Sequence, residues 1–384
     1  YPRAVENYAY HYKMRYPGQE HESARQIRLS PFYNDLKKAG AVFGSKNGWE
    51  RPLWFAPKGT EPVDQLDFLK PGWKKYTAQE HQTVRKGVAL IDQSSFSKFE
   101  IIGDGALTLL QRLCVSNMDK PVGSVIYTQM CNQNGGTEAD VTFIRLKENH
   151  FYMITGAGFG VRDSDWIKRH ITSGSSVHIV EVTSGKAVLN IVGPRSRTVL
   201  QSVSDTDVSN KFIKFSTARE ITIGSANVLA ARIGYVGELG FELHIPTEYA
   251  SHVYNVLWNA GQNENIANVG YRAIESLRME KGYLYWSSDI TPDYTPFEAG
   301  VGFRVHLNST EDFIGRDALQ KQKLTGLSKK LCTFTCDTDL SVTGGEAILL
   351  NDKVVSLATS ASYGYSVKKT ILRGYFEKEH WEEV

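Results

Sequence analysis

The stretch IYTQMCNQNGGTEADVTF, residues 126–143, decides how this chain is interpreted. Gly135 and Gly136 interrupt a strand-like segment, and Asp140 follows the second glycine by four residues. Paired glycines permit a tight reversal with positive φ and allow a ligand to approach the backbone closely. Alternation of apolar residues resumes after Asp140, which predicts a turn that leads into a new strand. Asp is also common at turn exits because it bonds nearby amides, so its position alone assigns it no function.

Size and charge limit the classes of function. The chain has 384 residues, of which 41% are hydrophobic, enough for two or three packed units. Its 44 basic and 42 acidic side chains nearly balance, which argues against a broad phosphate-binding surface and against nucleic acid as a partner. No apolar run approaches the roughly 20 residues of a membrane helix, so we expect no membrane partner. Because the chain begins at Tyr1 rather than Met, we expect a processed product or a piece of a longer protein.

The four cysteines do not predict a metal site. They form no CxxC pair, and no His stands beside them at zinc-like spacing. Cys332 and Cys336 fall in an alternating run, which places them on one face of a strand and too far apart for a disulfide. We therefore expect reduced thiols, no metal and a reducing compartment.

Changes in pattern along the chain predict an α+β fold in three parts. Residues 1–45 are charged and aromatic and indicate an extended arm or a lone helix. Residues 46–325 alternate strands with helices after short turns. Residues 326–384 consist of strands and turns, with a hairpin at Asn351-Asp352. About 60 residues are few for a complete barrel or sandwich, so we expect this last β unit to be incomplete.

Two shorter segments are predicted from their aromatic and glycine content. In GWERPLWFAPKG, residues 48–59, aromatic side chains are interleaved with prolines, which predicts a rigid turn packed against a neighbouring unit. TPFEAGVGF, residues 295–303, is predicted to begin a strand. GAGFG, residues 156–160, lacks the spacing of a dinucleotide-binding loop, which argues against that fold.

A second carboxylate, Glu242, lies in ARIGYVGELGFELHIP, residues 231–246. The apolar residues from Phe241 to Ile245 alternate as a buried strand face, which leaves Glu242 on the opposite face. A carboxylate on a strand just beyond a glycine-rich turn can accept paired hydrogen bonds from a flat amidine-like heterocycle, as it does from Arg. Alternate strand residues also often face water, which is the competing interpretation.

Four ordered motifs together resemble the glycine-cleavage T-protein, or aminomethyltransferase, family. They are NQNGGTEADVTFIRL, GYVGELGFELHIP, GYRAIESLRMEKG with DITPDYTPFEAG, and DFIGRDALQKQK. They look most like the folate-binding C-terminal half of sarcosine and dimethylglycine dehydrogenases, and GGTEAD favours the sarcosine branch. The resemblance extends from about residue 20 to the end. It implies aminomethyltransferase-like α+β subdomains over 46–325 and a β-barrel or jelly-roll-like unit over 326–384 that looks truncated, with residues 1–45 as the remnant of a preceding flavin domain.

The resemblance also implies a tetrahydrofolate site. Asp140 matches the family's Asp near N5 of the cofactor. Tyr127, on the strand upstream, and Tyr235, in the GYxGE turn, match its tyrosines. Glu242 matches the residue that holds the pterin ring. Arg272, which opens the GYRA helix, is expected near the outer portion of the folate.

The chemistry of these residue types suits one-carbon transfer. N5 of tetrahydrofolate must attack an iminium or formaldehyde and then lose a proton, which a carboxylate such as Asp140 can accept. The resemblance implies 5,10-methylenetetrahydrofolate as product and the mitochondrial matrix as location. FAD is expected only through a flavin dehydrogenase domain, in cis or in trans, because no GxGxxG turn occurs in this chain.

Two other functions remain open on the sequence. One is a non-catalytic regulatory or scaffold homologue, of the kind represented by the pyruvate dehydrogenase phosphatase regulatory subunit. Retention of Asp140, Tyr235 and Glu242 together argues against it. The other is a free-standing aminomethyltransferase with a lipoyl-carrier partner, against which the segment at residues 48–59 argues.

Overall fold

Helices and strands alternate through most of the chain. The structure, a computed structural model, describes residues 1–308, 311–337 and 342–381. The α-helices are α1 (Pro2–Tyr10), α2 (Tyr33–Lys38), α3 (Lys74–Lys86), α4 (Ala106–Leu113), α5 (Gly160–Arg169), α6 (Ser196–Ser202), α7 (Ala250–Ala260), α8 (Tyr271–Glu280) and α9 (Arg316–Thr325). The strands are β1 (Ala41–Lys46), β2 (Trp49–Phe55), β3 (Ala89–Asp92), β4 (Ser97–Ile102), β5 (Val125–Cys131), β6 (Thr137–Lys147), β7 (His150–Thr155), β8 (His178–Glu181), β9 (Lys186–Val192), β10 (Ala218–Ile223), β11 (Ala226–Ala231), β12 (Gly240–Pro246), β13 (Ala267–Asn268), β14 (Lys329–Cys336), β15 (Ala347–Leu350), β16 (Lys353–Gly364) and β17 (Lys369–Glu377).

Two large sheets form the centre of the molecule. One has six strands in the order β10-β11-β12-β9-β3-β13, and the other has five in the order β5-β6-β7-β4-β8. All neighbours are antiparallel except β13, which is parallel to β3. Antiparallel sheets with helices packed on them confirm the α+β class predicted from the sequence.

Helices cover the outer face of each large sheet. Phe241, Leu243 and Ile245 of β12 pack with α6 and α7 in one apolar cluster. Phe143 and Phe151 of the five-stranded sheet pack with α4 and α5 in another. Because strand side chains alternate between faces, the intervening residues of both sheets point inward.

The inner faces of the two sheets pack against each other. An apolar cluster joins them, and its buried members are Val125, Ile144, Tyr152, Ile154, Ala218 and Ala231. Beside it the Tyr152 hydroxyl on β7 lies 3.2 Å from Nδ1 of His244 on β12, and the two rings meet edge to face. Polar side chains next to this cluster on the inner face of one sheet therefore point toward the other sheet.

The aromatic segment at residues 48–59 forms a strand, so the prediction of a turn is wrong there. Trp49–Phe55 is β2, which pairs with β1 in a two-stranded sheet. Pro52 is tolerated because it adjoins a bulge: Val42 pairs with Trp54 and Phe43 with Pro52, which leaves Leu53 without a register partner. The packing part of the prediction is confirmed, since the Trp54 ring stacks on Tyr76 of α3 at 5.0 Å between centroids.

The double glycine forms the turn between β5 and β6. Gly135 has φ +81°, and a Cβ on Gly136 would collide with the backbone oxygen of Pro292. β6 begins at Thr137, so Asp140 lies within the strand rather than at its junction with the turn. The Thr137 amide donates to the Tyr294 carbonyl at 3.0 Å, which fixes the turn against the segment after α8.

That later segment is not the predicted strand. Residues 295–303 form turns and the start of a 3₁₀ helix, Gly302–Arg304. Two hydrogen bonds between Thr295 and Glu298 take the place of strand pairing. The Thr295 amide donates to the Glu298 carboxylate at 2.9 Å, and the Glu298 amide donates to Thr295 Oγ1 at 3.2 Å. Such local side-chain bonds compete with strand pairing.

The C-terminal residues form a separate four-stranded antiparallel sheet in the order β14-β17-β16-β15. Its predicted hairpin is confirmed, because Asn351 and Asp352 join β15 to β16 with φ of 49° and 63°. The predicted β unit at 326–384 also includes residues 338–341 and 382–384, which lie outside the described residues. Within the described ranges, no helix has the length and apolar character needed to cross a bilayer.

We predict that Gly136→Ala lowers the free energy of unfolding by about 3 kcal/mol, because the new methyl group displaces the Pro292 carbonyl from the β5–β6 turn. Urea denaturation of both proteins measures the difference. Gly185→Ala is the matched control, since a Cβ there meets no atom within 4 Å. Equal effects of the two substitutions would show that this close approach does not matter.

Candidate functional site

A cavity of about 690 Å³ lies where the inner faces of the two large sheets meet the segment after α8. Its wall contains residues of β5, β6, β7, β9 and β12, residues 156–159 of the GAGFG loop, and residues 281–286 and 299–304. Tyr127, Asp140, Tyr235 and Glu242 all line it. Four side chains singled out from distant parts of the sequence therefore share one cavity.

Asp140 faces the cavity from β6 next to a cross-strand amide. Gln129 is its register partner on β5 and donates from Nε2 to Asp140 Oδ1 at 2.8 Å. Burial raises the pKa of Asp140 to about 6, and the hydrogen bonds from Gln129 and Tyr127 oppose that rise. Burial and the charge of Asp140 together raise the pKa of Tyr127 well above its ordinary value, so Tyr127 carries its proton. Asp140 can therefore gain and lose a proton near neutral pH.

Glu242 faces the same cavity from β12. Its register partner on β9 is Asn190, whose Oδ1 is buried and has no hydrogen-bond partner among the described residues. Burial raises the pKa of Glu242 to about 7, against the effect of a hydrogen bond from Asn190. The alternative that Glu242 faces water is wrong, since its exposed fraction is 9%.

The neighbouring histidine does not neutralise Glu242. His244 Nε2 lies 3.9 Å from Glu242 Oε2, which is too long for a hydrogen bond. Burial lowers the pKa of His244 to about 3, so the ring is uncharged at neutral pH. The His244 Nδ1 atom is occupied by Tyr152 at 3.2 Å. The Glu242 carboxylate thus has acceptor capacity for a ligand in the cavity.

The two predicted tyrosines differ in the groups that they offer to a ligand in the cavity. The Tyr235 hydroxyl donates to the Leu284 carbonyl, and its ring stacks on Tyr283 at 5.7 Å between centroids. Tyr235 therefore offers the cavity an aromatic surface and no free hydroxyl. The Tyr127 hydroxyl is directed to Asp140, and the guanidinium of Arg304 lies 5.4 Å from the Tyr127 ring centroid.

Arg272 is not brought to the cavity. Its two terminal nitrogens lie 2.6 and 2.7 Å from the Asp64 carboxylate oxygens, and its guanidinium covers the Trp73 ring. The reason is helical geometry: Tyr271 and Ile274 of α8 line the cavity, and Arg272 is rotated about 100° from Tyr271. The cations that do line it are Lys46, Arg51, Lys281 and Arg304.

Several side chains that shape the site were not predicted. Gln129 could have been predicted from the sequence, because it follows Tyr127 by two residues on a strand and therefore lies on the same face of that strand. Asn190 could also have been predicted, because it is a lone polar residue in the apolar run of β9. Arg304 could not be predicted, because it directly follows residues 295–303, where the sequence predicts the start of a strand and the structure has turns and a 3₁₀ helix.

The chemistry of this arrangement is that of ligand binding and proton transfer. Two incompletely compensated carboxylates face one cavity from two sheets, and tyrosines and an unpartnered amide oxygen lie beside them. Such a set suits a flat, nitrogen-rich ligand that donates hydrogen bonds and loses a proton. Over the ranges 1–308, 311–337 and 342–381, no three His, Cys, Asp or Glu side chains are grouped to hold a metal ion.

Comparison with protein families gives two matches. The GCVT N-terminal domain family matches residues 32–309, and the glycine cleavage T-protein C-terminal barrel domain matches residues 329–384. Together they cover the cavity and the C-terminal sheet.

Curated relatives match over nearly the whole chain. The chain is 35% identical to human mitochondrial sarcosine dehydrogenase and 36% identical to the mouse mitochondrial pyruvate dehydrogenase phosphatase regulatory subunit, in each case over 97% of its length. It is 34% identical to human mitochondrial dimethylglycine dehydrogenase, again over 97%. It spans 45%, 44% and 43% of these relatives' own lengths, less than half of each.

A solved structure shows the same fold. The aminomethyltransferase T of the Bartonella henselae glycine cleavage system superposes with a TM-score of 0.78, covering 92% of this chain and 90% of that one at 24% identity. The predicted aminomethyltransferase-like architecture is therefore confirmed.

We predict that Glu242 makes the free energy of unfolding fall as pH rises. Its pKa is 4.5 when unfolded and about 7 when folded, so its contribution is present below pH 4.5 and is lost as pH rises through 7. The free energy of unfolding is measured by urea denaturation at pH 5 and at pH 8. Between these two pH values it should fall by about 2 kcal/mol less in Glu242→Gln than in wild type. Glu220→Gln, an exposed charge on β10, is the control and should keep the wild-type slope. An unchanged slope in Glu242→Gln would contradict the raised pKa.

Proposed function

This chain belongs to the glycine-cleavage T-protein (aminomethyltransferase) family, and from that premise we propose that its cavity binds tetrahydrofolate and transfers a one-carbon unit to it. One observation carries the proposal: Asp140 and Glu242 face one cavity from different sheets, and among the described residues neither forms an ion pair with Lys or Arg. A reduced pterin needs both an acceptor for its aminopyrimidinone edge and an acceptor for the proton that it loses.

Glu242 and Asn190 would hold the pterin. The aminopyrimidinone edge presents parallel N–H donors, and a carboxylate accepts such a pair as it accepts a guanidinium. The buried Asn190 Oδ1 lacks a partner among the described residues and supplies a further acceptor next to Glu242. Tyr235, whose hydroxyl is already bonded, supplies an aromatic face. Donors from a bound pterin lower the pKa of Glu242 and stabilise its charged form.

Asp140 would act as the proton acceptor. When bound, tetrahydrofolate supplies the nucleophilic nitrogens that capture the one-carbon unit. With a pKa of about 6, Asp140 is mostly ionised at pH 7.5 and still basic enough to accept a proton. The Gln129 amide donates to one of its oxygens. Tyr127, which keeps its proton, directs its hydroxyl to the same carboxylate.

In the whole protein, we propose that this region works with a flavin dehydrogenase domain, in cis or in trans, that oxidises sarcosine or dimethylglycine. The similarity to sarcosine and dimethylglycine dehydrogenases over 97% of this chain supports that pairing. FAD would reside in that other domain, and the product here would be 5,10-methylenetetrahydrofolate. The names of the mitochondrial relatives favour the mitochondrial matrix.

A second candidate is a regulatory protein without catalysis. The 36% identity to the mouse pyruvate dehydrogenase phosphatase regulatory subunit supports a regulatory function. It does so as strongly as the 35% identity to human sarcosine dehydrogenase supports an enzyme. The pairing of a titratable Asp140 with a dedicated Gln129 amide supports the enzyme, because a regulator needs no proton acceptor in its cavity. The two experiments that follow separate them.

We predict that wild-type protein binds tetrahydrofolate in calorimetric titration and that Glu242→Gln weakens the affinity tenfold or more, about the worth of a charge-assisted hydrogen bond. Gln keeps the shape of Glu242 but removes its charge and one acceptor. Glu220→Gln, outside the cavity, should bind like wild type. Absence of binding by the wild type would favour the regulatory candidate, and wild-type affinity in Glu242→Gln would remove this residue from the site.

We predict that Asp140→Asn keeps the tetrahydrofolate affinity but slows one-carbon capture by about 10²-fold, the usual share of a general base. The wild-type rate should rise with pH through about 6, as Asp140 ionises, and that rise should vanish in the variant. Single-turnover formation of methylenetetrahydrofolate from formaldehyde, corrected for the uncatalysed reaction, measures the rate. Asp119→Asn, at a largely exposed carboxylate, is the control. An unchanged capture rate in Asp140→Asn would exclude it as the base.

A further inference from the structure

Arg304 is a fixed cation in the cavity wall. It ends the 3₁₀ turn Gly302–Arg304, and its carbonyl accepts a hydrogen bond from Ser116 Oγ at 3.0 Å. Two residues later, the His306 amide donates to the Val115 carbonyl at 2.8 Å. Both contacts attach this turn to the segment that leads into β5. The backbone under the Arg304 side chain is therefore held in place.

The guanidinium of Arg304 lies among aromatic rings and has no carboxylate partner. Its centre is 5.0 Å from the Phe303 ring centroid and 5.4 Å from that of Tyr127. Across the described part of the chain, no Asp or Glu oxygen lies within ion-pair distance of Arg304, and its buried Nε has no hydrogen-bond partner. A partly desolvated guanidinium without an anion is suited to bind a planar carboxylate.

Arg304 lies on a route from the cavity mouth to Asp140. Phe303, which is 75% exposed, stands at the rim. Arg304 is half-buried and contacts both Phe303 and Tyr127, and Tyr127 in turn interacts with Asp140. An anion on Arg304 would thus lie one side chain away from the group that accepts the proton.

The carboxylates of the folate itself have other cations available. Lys46 and Arg51 line the cavity from the β1–β2 hairpin, where Arg51 covers the Tyr271 ring at 3.9 Å. In tetrahydrofolate the p-aminobenzoyl group separates the glutamate from the reacting nitrogen N5. When N5 is near Asp140, the glutamate is remote from it. A carboxylate at Arg304 therefore belongs to the other reactant, the one-carbon donor.

On the basis of the proposed function, we infer that Arg304 binds the carboxylate of the one-carbon donor, and that the donor is an N-methylene amino acid rather than free formaldehyde. The carbon–nitrogen double bond of the iminium breaks, and both of its electron pairs stay with the donor nitrogen, which takes one proton from the folate and leaves as the amine. Two carbon–nitrogen bonds to the folate form, at N5 and N10. The iminium cation and the two folate N–H groups yield the free amino acid, methylenetetrahydrofolate and one proton, which Asp140 accepts. No oxidant or reductant enters this step.

Two matched donors test the inference with the full chain. Formaldehyde mixed with glycine gives an N-methylene donor with a carboxylate, and formaldehyde mixed with methylamine gives one without it. We expect Arg304→Gln to slow single-turnover transfer from the glycine donor by about tenfold or more, the worth of a hydrogen-bonded ion contact, and to leave the methylamine donor unchanged. Arg304→Lys should restore part of the rate. Arg219→Gln, an equal loss of charge on an exposed part of β10, should behave like wild type with both donors.

Three results would overturn the inference while leaving the proposed function intact. One is equal slowing with both donors, and another is no slowing with either. The third is a loss of tetrahydrofolate affinity in Arg304→Gln that is absent with tetrahydropteroate, which lacks the glutamate, because that result would assign Arg304 to the folate tail. Failure of wild-type protein to bind tetrahydrofolate would overturn the proposed function and this inference with it. That failure is distinguishable because it is seen before any donor or variant is introduced.

Discussion

The contact between the inner faces of the two large sheets is the constraint on which the site depends. It is mostly apolar, and the buried pair of Tyr152 and His244 crosses it at 3.2 Å. Because this pair and its apolar neighbours fix the separation of the sheets, Asp140 on one and Glu242 on the other reach the same cavity. Neither sheet alone would place two acids around one ligand.

The same contact determines the charge state of the site. Burial keeps His244 uncharged, so this histidine does not neutralise Glu242. Burying a carboxylate without a cation beside it destabilises its charged form. This is why the pKa values of Asp140 and Glu242 are raised. Such costs are typical of binding and catalytic sites, where a ligand supplies the missing partners. Tetrahydrofolate supplies them in the proposed function.

Much of the fold was predictable because strand alternation carries direct information about faces. The period of two from Phe241 to Ile245 placed Glu242 on the inner face, and the paired residues Asn351 and Asp352 marked a hairpin. The prolines of residues 48–59 concealed β2, because Pro is excluded from strand interiors except at a bulge or on an edge strand. Residues 295–303 mimic a strand, but bonds between Thr295 and Glu298 turn the chain.

The candidate site was predictable only where a motif or an alternation pointed to it. Asp140, Tyr127 and Tyr235 were identified through resemblance, and the structure places them in one cavity with Glu242. The resemblance places Arg272 near the outer portion of the folate, whereas one step along α8 rotates its side chain away from the cavity. The position of Arg304 depends on a tertiary contact, since its turn is held by Ser116 from a distant part of the chain. No local pattern encodes such a contact.

The most direct test is a crystal structure of the full chain with tetrahydrofolate bound. We expect the aminopyrimidinone edge to donate to the Glu242 carboxylate, with N5 directed toward Asp140 and the glutamate away from Arg304. Density for the pterin at any other surface, or in this cavity with Glu242 and Asp140 both free of contact, would contradict the assignment of the two acids to one ligand.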